Sequence, residues 1–193
     1  MRASGPGSRS TGWLRPLPVW ISLTWGLAES TFFFIIPDII LGWACLTGWR
    51  NGLRSLTAIL VGSMIGGLVM YGFAATSPEQ ANSFVASIPF VRDWMFGTVS
   101  AAYRDHGAIG MLYGPSSGIP YKVYAVLAPP QFDALTFAIL SVPARLERLF
   151  LSWLGFTLAG LAFRRWFPSW HRLPVIVFVV VWVAVYATYW SSI

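Results

Sequence analysis

Five charged side chains stand inside stretches that are otherwise apolar, and together they define an anion and proton chemistry. Glu29 and Asp38 bracket the run Glu29-Ser-Thr-Phe-Phe-Phe-Ile-Ile-Pro-Asp38, with Pro37 inside it. Arg145 and Arg148 lie at i and i+3, so a helix would put both on one face. Two guanidinium forks on one face match the planar oxygens of a phosphate or a carboxylate. Lys122 is a further candidate cation. A carboxylate near these bases would be pushed up by desolvation and down by the arginines, so substrate and proton could compete for one cluster. A satisfied ion network joining the arginines to Glu29, Asp38 or Glu147 is the structural alternative. No phosphate loop, H-E-x-x-H pair or metal-ligand cluster accompanies these residues, so neither a metal nor a cofactor is expected.

The surroundings decide what can position them. Of 193 residues 56% are hydrophobic and 10% are charged; mean hydropathy is +0.63. Soluble domains carry about 25% charged residues, so an all-α integral membrane protein is expected. Eleven Trp and seven Tyr suit interfacial anchoring. The net charge of +6 reads as arginine in cytoplasmic loops and calls for no nucleic acid. Cys45 is the single cysteine, which excludes an intrachain disulfide.

Pro16 to Ala28 and Ile39 to Trp49 flank the acidic stretch without a charge. At about 1.5 Å per residue they reach only ~20 and ~16 Å, against a hydrocarbon core of ~30 Å. A re-entrant helical hairpin broken near Pro37 fits this better than two crossings. It also lets Glu29 and Asp38, nine positions apart, face one site. The alternative is one span from Leu17 to Ile36 with Glu29 hydrogen-bonded inside a bundle.

The basic tail, residues 1–16, precedes a membrane domain over 17–172 and a C-terminal transmembrane helix over 173–193. Arg2, Arg9 and Arg15 ahead of an apolar run mimic a signal peptide, but no small-x-small cleavage site follows before Glu29, so a retained anchor is expected. Asn51-Gly52 reads as a turn, and Ser55 to Ser77 as a full span with Gly62, Gly66 and Gly67 at helix-packing spacing. Ser77-Pro78 starts a helix, and 78–106 reads as an interfacial connector with His106 at an exposed turn. From 107 to 130 glycines and prolines, Pro115 and Pro120 among them, interrupt an apolar run. A second re-entrant hairpin is expected there, its tip near 114–120. Ile36-Pro37-Asp38 and Ile119-Pro120-Tyr121-Lys122 echo each other, as in an inverted repeat. Asp133 is expected to cap a helix over 134–163, which Arg164, Arg165, His171 and Arg172 follow. With two hairpins and about three transmembrane helices, every basic cluster and the N-terminus share the cytoplasmic face.

Gly114-Pro-Ser116-Ser-Gly118 fits G-x-S-x-G, with Asp133 and His171 following in nucleophile–acid–base order. That motif needs a strand–turn–helix setting, which prolines and an apolar context argue against. An intramembrane serine hydrolase is therefore the remote alternative, and no enzyme activity is expected.

Glu29-Ser-Thr-Phe-Phe-Phe-Ile-Ile-Pro-Asp-Ile-Ile-Leu41 resembles the E-S-S-F-F-P-I-P-P-D-V-L-L signature of the DedA family, the SNARE-associated or VTT-domain membrane proteins, in its YqaA-like branch. Gly62 to Gly72, Ile119 to Tyr124 and Arg145-Leu-Glu-Arg148-Leu-Phe resemble its glycine-rich, P-I-P-x-K and R-x-x-R-F segments, over roughly residues 20 to 165. The resemblance implies two opposed re-entrant loops and transport or lipid translocation, as a flippase or scramblase. The family's functional acids fall on Glu29 and Asp38, and its arginines on Arg145 and Arg148. Implied partners are membrane lipids, a polyprenyl phosphate or a phospholipid, with protons as the coupling ion; homo-oligomerisation stays open. The implied location is the bacterial inner membrane. The chain departs from the family pattern at Phe34 and Ile36, where prolines are usual, at Pro143-Ala144, and at Glu147 between the arginines. A non-transporting assembly protein with a buried ion network is the second expectation.

Overall fold

A computed structural model describes residues 15–166 and 173–191. Among these residues every regular element is helical. Helix α1 (Val19–Thr31) and α2 (Asp38–Thr47) precede α3 (Trp49–Thr76); α4 (Pro78–Ala86) and α5 (Asp93–His106) follow. A 3-10 segment (Gly107–Tyr113) and the single turn α6 (Gly114–Ser117) lead into α7 (Tyr121–Leu127), then α8 (Ala134–Trp166) and α9 (Leu173–Ser191).

Two helices are long and apolar enough to cross a membrane, Trp49–Thr76 and Ala134–Phe163. They form the frame and run antiparallel. Tyr71 meets Phe137 near one end, Ser63 meets Arg145 at the middle, and the Trp153 indole donates to the Trp49 carbonyl at the other end. The apolar part of α9, Leu173–Thr188, is shorter. Arg50, Arg54 and Arg165 fall at one end of this frame, whereas Glu79 and Asp133 fall at the other.

α1 lies along α3 in the same direction. The Ser22 and Ser55 hydroxyls meet at 2.8 Å, Gly26 abuts Ile59, and Leu27 abuts Gly66. The chain then turns over 32–37 and α2 returns, so that Cys45 reaches Gly52. At about 1.5 Å per residue α1 and α2 are ~20 and ~15 Å long, against ~42 Å for α3. This is a hairpin that reaches the middle of α3 and goes back. The second hairpin enters from the opposite end. The 3-10 segment packs on α5 and α8, the chain turns at Gly114–Pro120, and α7 climbs back along α3. The two tips touch, because the Lys122 ammonium donates to the Phe33 carbonyl at 2.7 Å.

Two expectations shift. Asn51-Gly52 is not a turn but lies in the first turn of α3, since Gly48 at φ +145° makes the reversal one step earlier. Gly52 instead gives room to the Cys45 sulfur and the Trp153 ring. Residues 78–106 do not lie flat at an outer surface. α4 starts at the far end of α3, and the bend Ile88–Val91 between α4 and α5 comes down beside Glu29 and Lys122. Ala81, Val85, Met95, Val99 and Tyr103 form one buried face, against α3 and α7, of a segment that is otherwise largely exposed. His171 and the basic tail before Arg15 lie outside the described residues.

Close approach depends on absent side chains. A Cβ on Gly62 would strike the Leu23 carbonyl and come within 3.0 Å of the Leu27 nitrogen. Those are backbone atoms that no rotamer change can move. Gly62→Val should therefore destabilise by at least the ~1–3 kcal/mol of an overpacked core. Gly72→Ala, which meets open space, should gain ~0.5–1 kcal/mol of helix stability. Thermal unfolding in mild detergent measures both.

Asp133 caps α8 as its position predicts. One carboxylate oxygen accepts from the Leu135 and Thr136 backbone N–H groups at 2.9 and 3.0 Å, and the other from the Thr136 hydroxyl at 2.7 Å. These bonds, the Thr136 hydroxyl first, hold the carboxyl below its ordinary 3.8. A lowered carboxyl stabilises the fold at pH above its unfolded value, and that contribution is lost as pH falls through the folded value. The melting temperature of the wild-type protein should drop below pH 3.8 more than that of Asp133→Asn, whose side chain caps without titrating.

Candidate functional site

The site is where the two hairpin tips meet between α3 and α8. On α8, Ser141, Arg145, Arg148 and Ser152 recur at i, i+4, i+7 and i+11, one polar stripe on a helix that is otherwise apolar on that side. Each member of the stripe finds a partner on another element.

Arg145 is the dry member. Its terminal nitrogen donates to Glu29 of α1 at 2.5 Å and to the Ser63 hydroxyl of α3 at 2.9 Å. Its guanidinium carbon sits 4.9 Å from the centre of the Tyr121 ring of α7. The Tyr121 hydroxyl in turn donates to Ser141 at 2.6 Å. The Glu29 and Arg145 side chains are 7% and 8% exposed, so this pair exchanges little with solvent. Arg145 Nε is buried with no hydrogen-bond partner among the described residues. It lies beside a cavity of about 30 Å³ lined by Arg145, Arg148, Tyr121, Tyr124 and Pro37, enough for one or two waters at roughly 10–15 Å³ each.

Arg148 is the wetter member. It donates to Asp38 at 3.3 Å, and its side chain is 39% exposed. The other Asp38 oxygen accepts from the Ser152 hydroxyl. Asp38 opens α2, where the positive end of the helix dipole favours a carboxylate. A guanidinium has five N–H donors, and this one spends a single described bond on a carboxylate.

Lys122 is fully buried, and among the described residues no carboxylate comes within 4.0 Å of it. With Glu29 and Arg148 it faces a cavity of about 280 Å³. The rest of that wall is apolar and aromatic, including Phe34, Ile36, Phe90, Val185 and Tyr186. Phe34, Phe90 and Trp190 pack together at its rim, with ring centroids 5.5–5.9 Å apart, Trp190 edge to face with both phenylalanines and the two phenylalanines tilted. Phe90 holds a positive φ of 71°, rare for a bulky residue. Counting the five residues, three bases face two acids.

The broken backbone over 32–37 is satisfied piece by piece. Lys122 supplies the Phe33 carbonyl, the Trp25 indole supplies the Ile35 carbonyl at 3.3 Å, and the Ile36 N–H finds the Tyr186 hydroxyl at 3.2 Å. Three elements thus repair what the break near Pro37 opens.

All five sequence candidates, Glu29, Asp38, Lys122, Arg145 and Arg148, come together here. Pro37 and Pro120 each stand immediately before the helix that leads away from the site, α2 and α7. Pro115 falls in α6. Glu147 takes no part and is exposed on the other side of α8. Ser63, Tyr121, Ser141 and Ser152 join the site with no charge to mark them in the sequence, although the i, i+4, i+7, i+11 spacing on α8 carries the two serines there. Ser116 lies in the turn of helix α6, Asp133 is spent on its cap, and among the described residues there is no strand to build a nucleophile elbow. No group of three or more metal-ligating side chains occurs among the described residues. No family model, curated protein or solved structure matches the chain.

Breaking a buried pair by removing one partner leaves the other charge unpaired, at a cost of ~3–5 kcal/mol. Glu29→Gln should lose stability on that scale. Asp38→Asn should lose less, because Arg148 reaches solvent. The double change Glu29→Met with Arg145→Met should recover most of the loss. A double-mutant cycle by denaturation in detergent reads the coupling, and strictly additive losses would show the pair is uncoupled.

Proposed function

We propose that the chain is an integral membrane transporter of the DedA type that moves a lipid-linked phosphate or a small anion across the bilayer. The observation that carries this reading is the cavity at the hairpin tips, with Lys122 and Arg148 on an otherwise apolar and aromatic wall. An amphiphilic anion fits such a wall: its charged group meets the bases, and its tail meets Phe34, Ile36 and Val185. The two hairpins are re-entrant loops from opposite leaflets, each too short to cross. Irregular backbone at that depth is tolerated only inside protein or along a cavity, where its polar groups are paired. The bonds to Phe33, Ile35 and Ile36 meet that requirement.

Roles divide by exposure. Arg148 and Lys122 hold the anion, and Asp38, paired to the more exposed arginine, releases Arg148 to it as the proton-linked acid. Arg145, closed in by Glu29, Ser63 and Tyr121, braces the helices. That bracing supports the second reading, a non-transporting assembly protein, for this pair alone. The basic end of the frame faces the cytoplasm of a bacterial inner membrane, which puts the N-terminus inside.

Purified protein in liposomes should accelerate movement of a polyprenyl phosphate or an anionic phospholipid between leaflets, with a rate that responds to an imposed pH gradient. A charge-assisted hydrogen bond contributes ~1.5–3 kcal/mol, so Lys122→Gln and Arg148→Gln should each slow it by roughly tenfold or more. Both should accumulate normally in membranes. Wild-type rates in both variants would refute the anion-site reading; loss of accumulation would favour the assembly reading.

A further inference from the structure

The cavity of about 30 Å³ beside Arg145 is distinct from the larger one and is built differently. Arg145 and Arg148 both line it, with Tyr121 and Tyr124, and the remaining wall is mostly apolar. No carboxylate lines it. Glu29 faces the larger cavity, and Asp38 meets Arg148 from outside this wall.

The guanidinium donors here are only partly used. Both described bonds of Arg145 leave from one terminal nitrogen, to Glu29 and to Ser63. Its Nε is buried without a partner among the described residues, and the residue as a whole is 7% exposed. Arg148 has one described bond, to Asp38. A buried N–H without an acceptor is costly, and more so on a charged group.

Charge points the same way. Lys122, Arg145 and Arg148 face Glu29 and Asp38, so the cluster carries one positive charge over whenever no anionic substrate occupies the larger cavity. Four of the five residues are buried, where an uncompensated charge is poorly solvated. Water in the small cavity would accept from the N–H groups but bring no charge. A carboxylate or a phosphate would bring charge, but the room is that of one or two waters. A monatomic anion meets both limits. Having no preferred lone-pair direction, it can accept from two guanidinium groups on successive turns of α8.

We propose that this cavity is a halide site. One anion of the chloride class, held between Arg145 Nε and the Arg148 guanidinium, is the counter-ion of the cluster. The site is separate from the proposed substrate cavity and does not require that the chain transports anything.

Bromide in place of chloride tests this, because its anomalous scattering marks its position. Crystals of the full chain grown in bromide should show an anomalous peak in this cavity, within hydrogen-bond reach of Arg145 Nε and Arg148. In detergent at constant ionic strength, which holds screening fixed, chloride in place of gluconate should raise the melting temperature. The rise should be roughly 3–6 °C at ten times the dissociation constant. Ala144→Val adds two methyl groups at the cavity wall and should abolish that rise. Ordered water there with no anomalous peak would overturn the proposal, and so would bromide confined to the surface, an adventitious ion only. Equal melting temperatures in chloride and gluconate would overturn it too, as would a chloride response that persists in folded Ala144→Val. If that variant does not fold, the bromide position decides alone.

Discussion

Arg145 sets the terms for the centre of this molecule. A guanidinium at the middle of a long apolar helix is tolerable only if opposite charge and hydrogen-bond acceptors are brought to it. Here they come from three other elements: a carboxylate from α1, a hydroxyl from α3 and an aromatic face from α7. Each approach needs a missing side chain. α1 reaches Arg145 because Gly26, Gly62 and Gly66 let it lie against α3, and Tyr121 does so because Gly67 leaves room for its ring. The glycine contacts and the ion pair are thus one constraint. Widening any helix contact by a methyl group would pull a partner away from the buried charge.

The second pair has a different physics. Asp38 and Arg148 meet at a longer distance, with Arg148 partly exposed, and Lys122 has a carbonyl where a carboxylate would neutralise it. A buried ion network built for stability alone would match its charges and close its donors. The cluster instead has an excess base and unspent guanidinium N–H groups, and both border the larger cavity. That imbalance sets the closed Glu29–Arg145 pair apart from the more open Asp38, Arg148 and Lys122 side of the same five residues.

Much of the frame is legible in the sequence because it rests on patterns that few residues can disguise. Long apolar runs mark α3 and α8, Pro37 and Pro120 mark the starts of the return helices, and Asp133 marks a cap. The convergence of Glu29, Asp38, Lys122, Arg145 and Arg148 follows from charge in an apolar setting. What escapes is whatever tertiary contact decides. Gly52 reads as a turn by type, yet its lack of a side chain is used for packing, while Gly48 makes the turn. The 78–106 segment has nearly balanced charge and amphipathic spacing, so only the burial of Val85, Val99 and Tyr103 shows that it packs inward. Arg145, Glu147 and Arg148 look like one charged cluster in sequence, but a helix turns by about 100° per residue and sends Glu147 the other way. Ser141 and Ser152 carry no charge to attract notice, although the spacing that gathers the arginines gathers them as well.

The contact between the tips also limits how the cavity can work. Each hairpin stops halfway along α3, and a broken backbone buried there needs its polar groups paired. The Lys122 to Phe33 bond is both the seam between the hairpins and the repair of one of those gaps. On the transport reading, an anion entering the cavity offers Lys122 a charged acceptor in place of a neutral carbonyl, and charge-assisted bonds are roughly twice as strong. The ammonium can then change partners without passing through an unpaired state. The Phe33 carbonyl, released on the cavity side, would face a space the substrate has opened. On that reading, binding and separation of the tips are one event at one nitrogen atom, and occupancy is coupled to opening without a distant hinge.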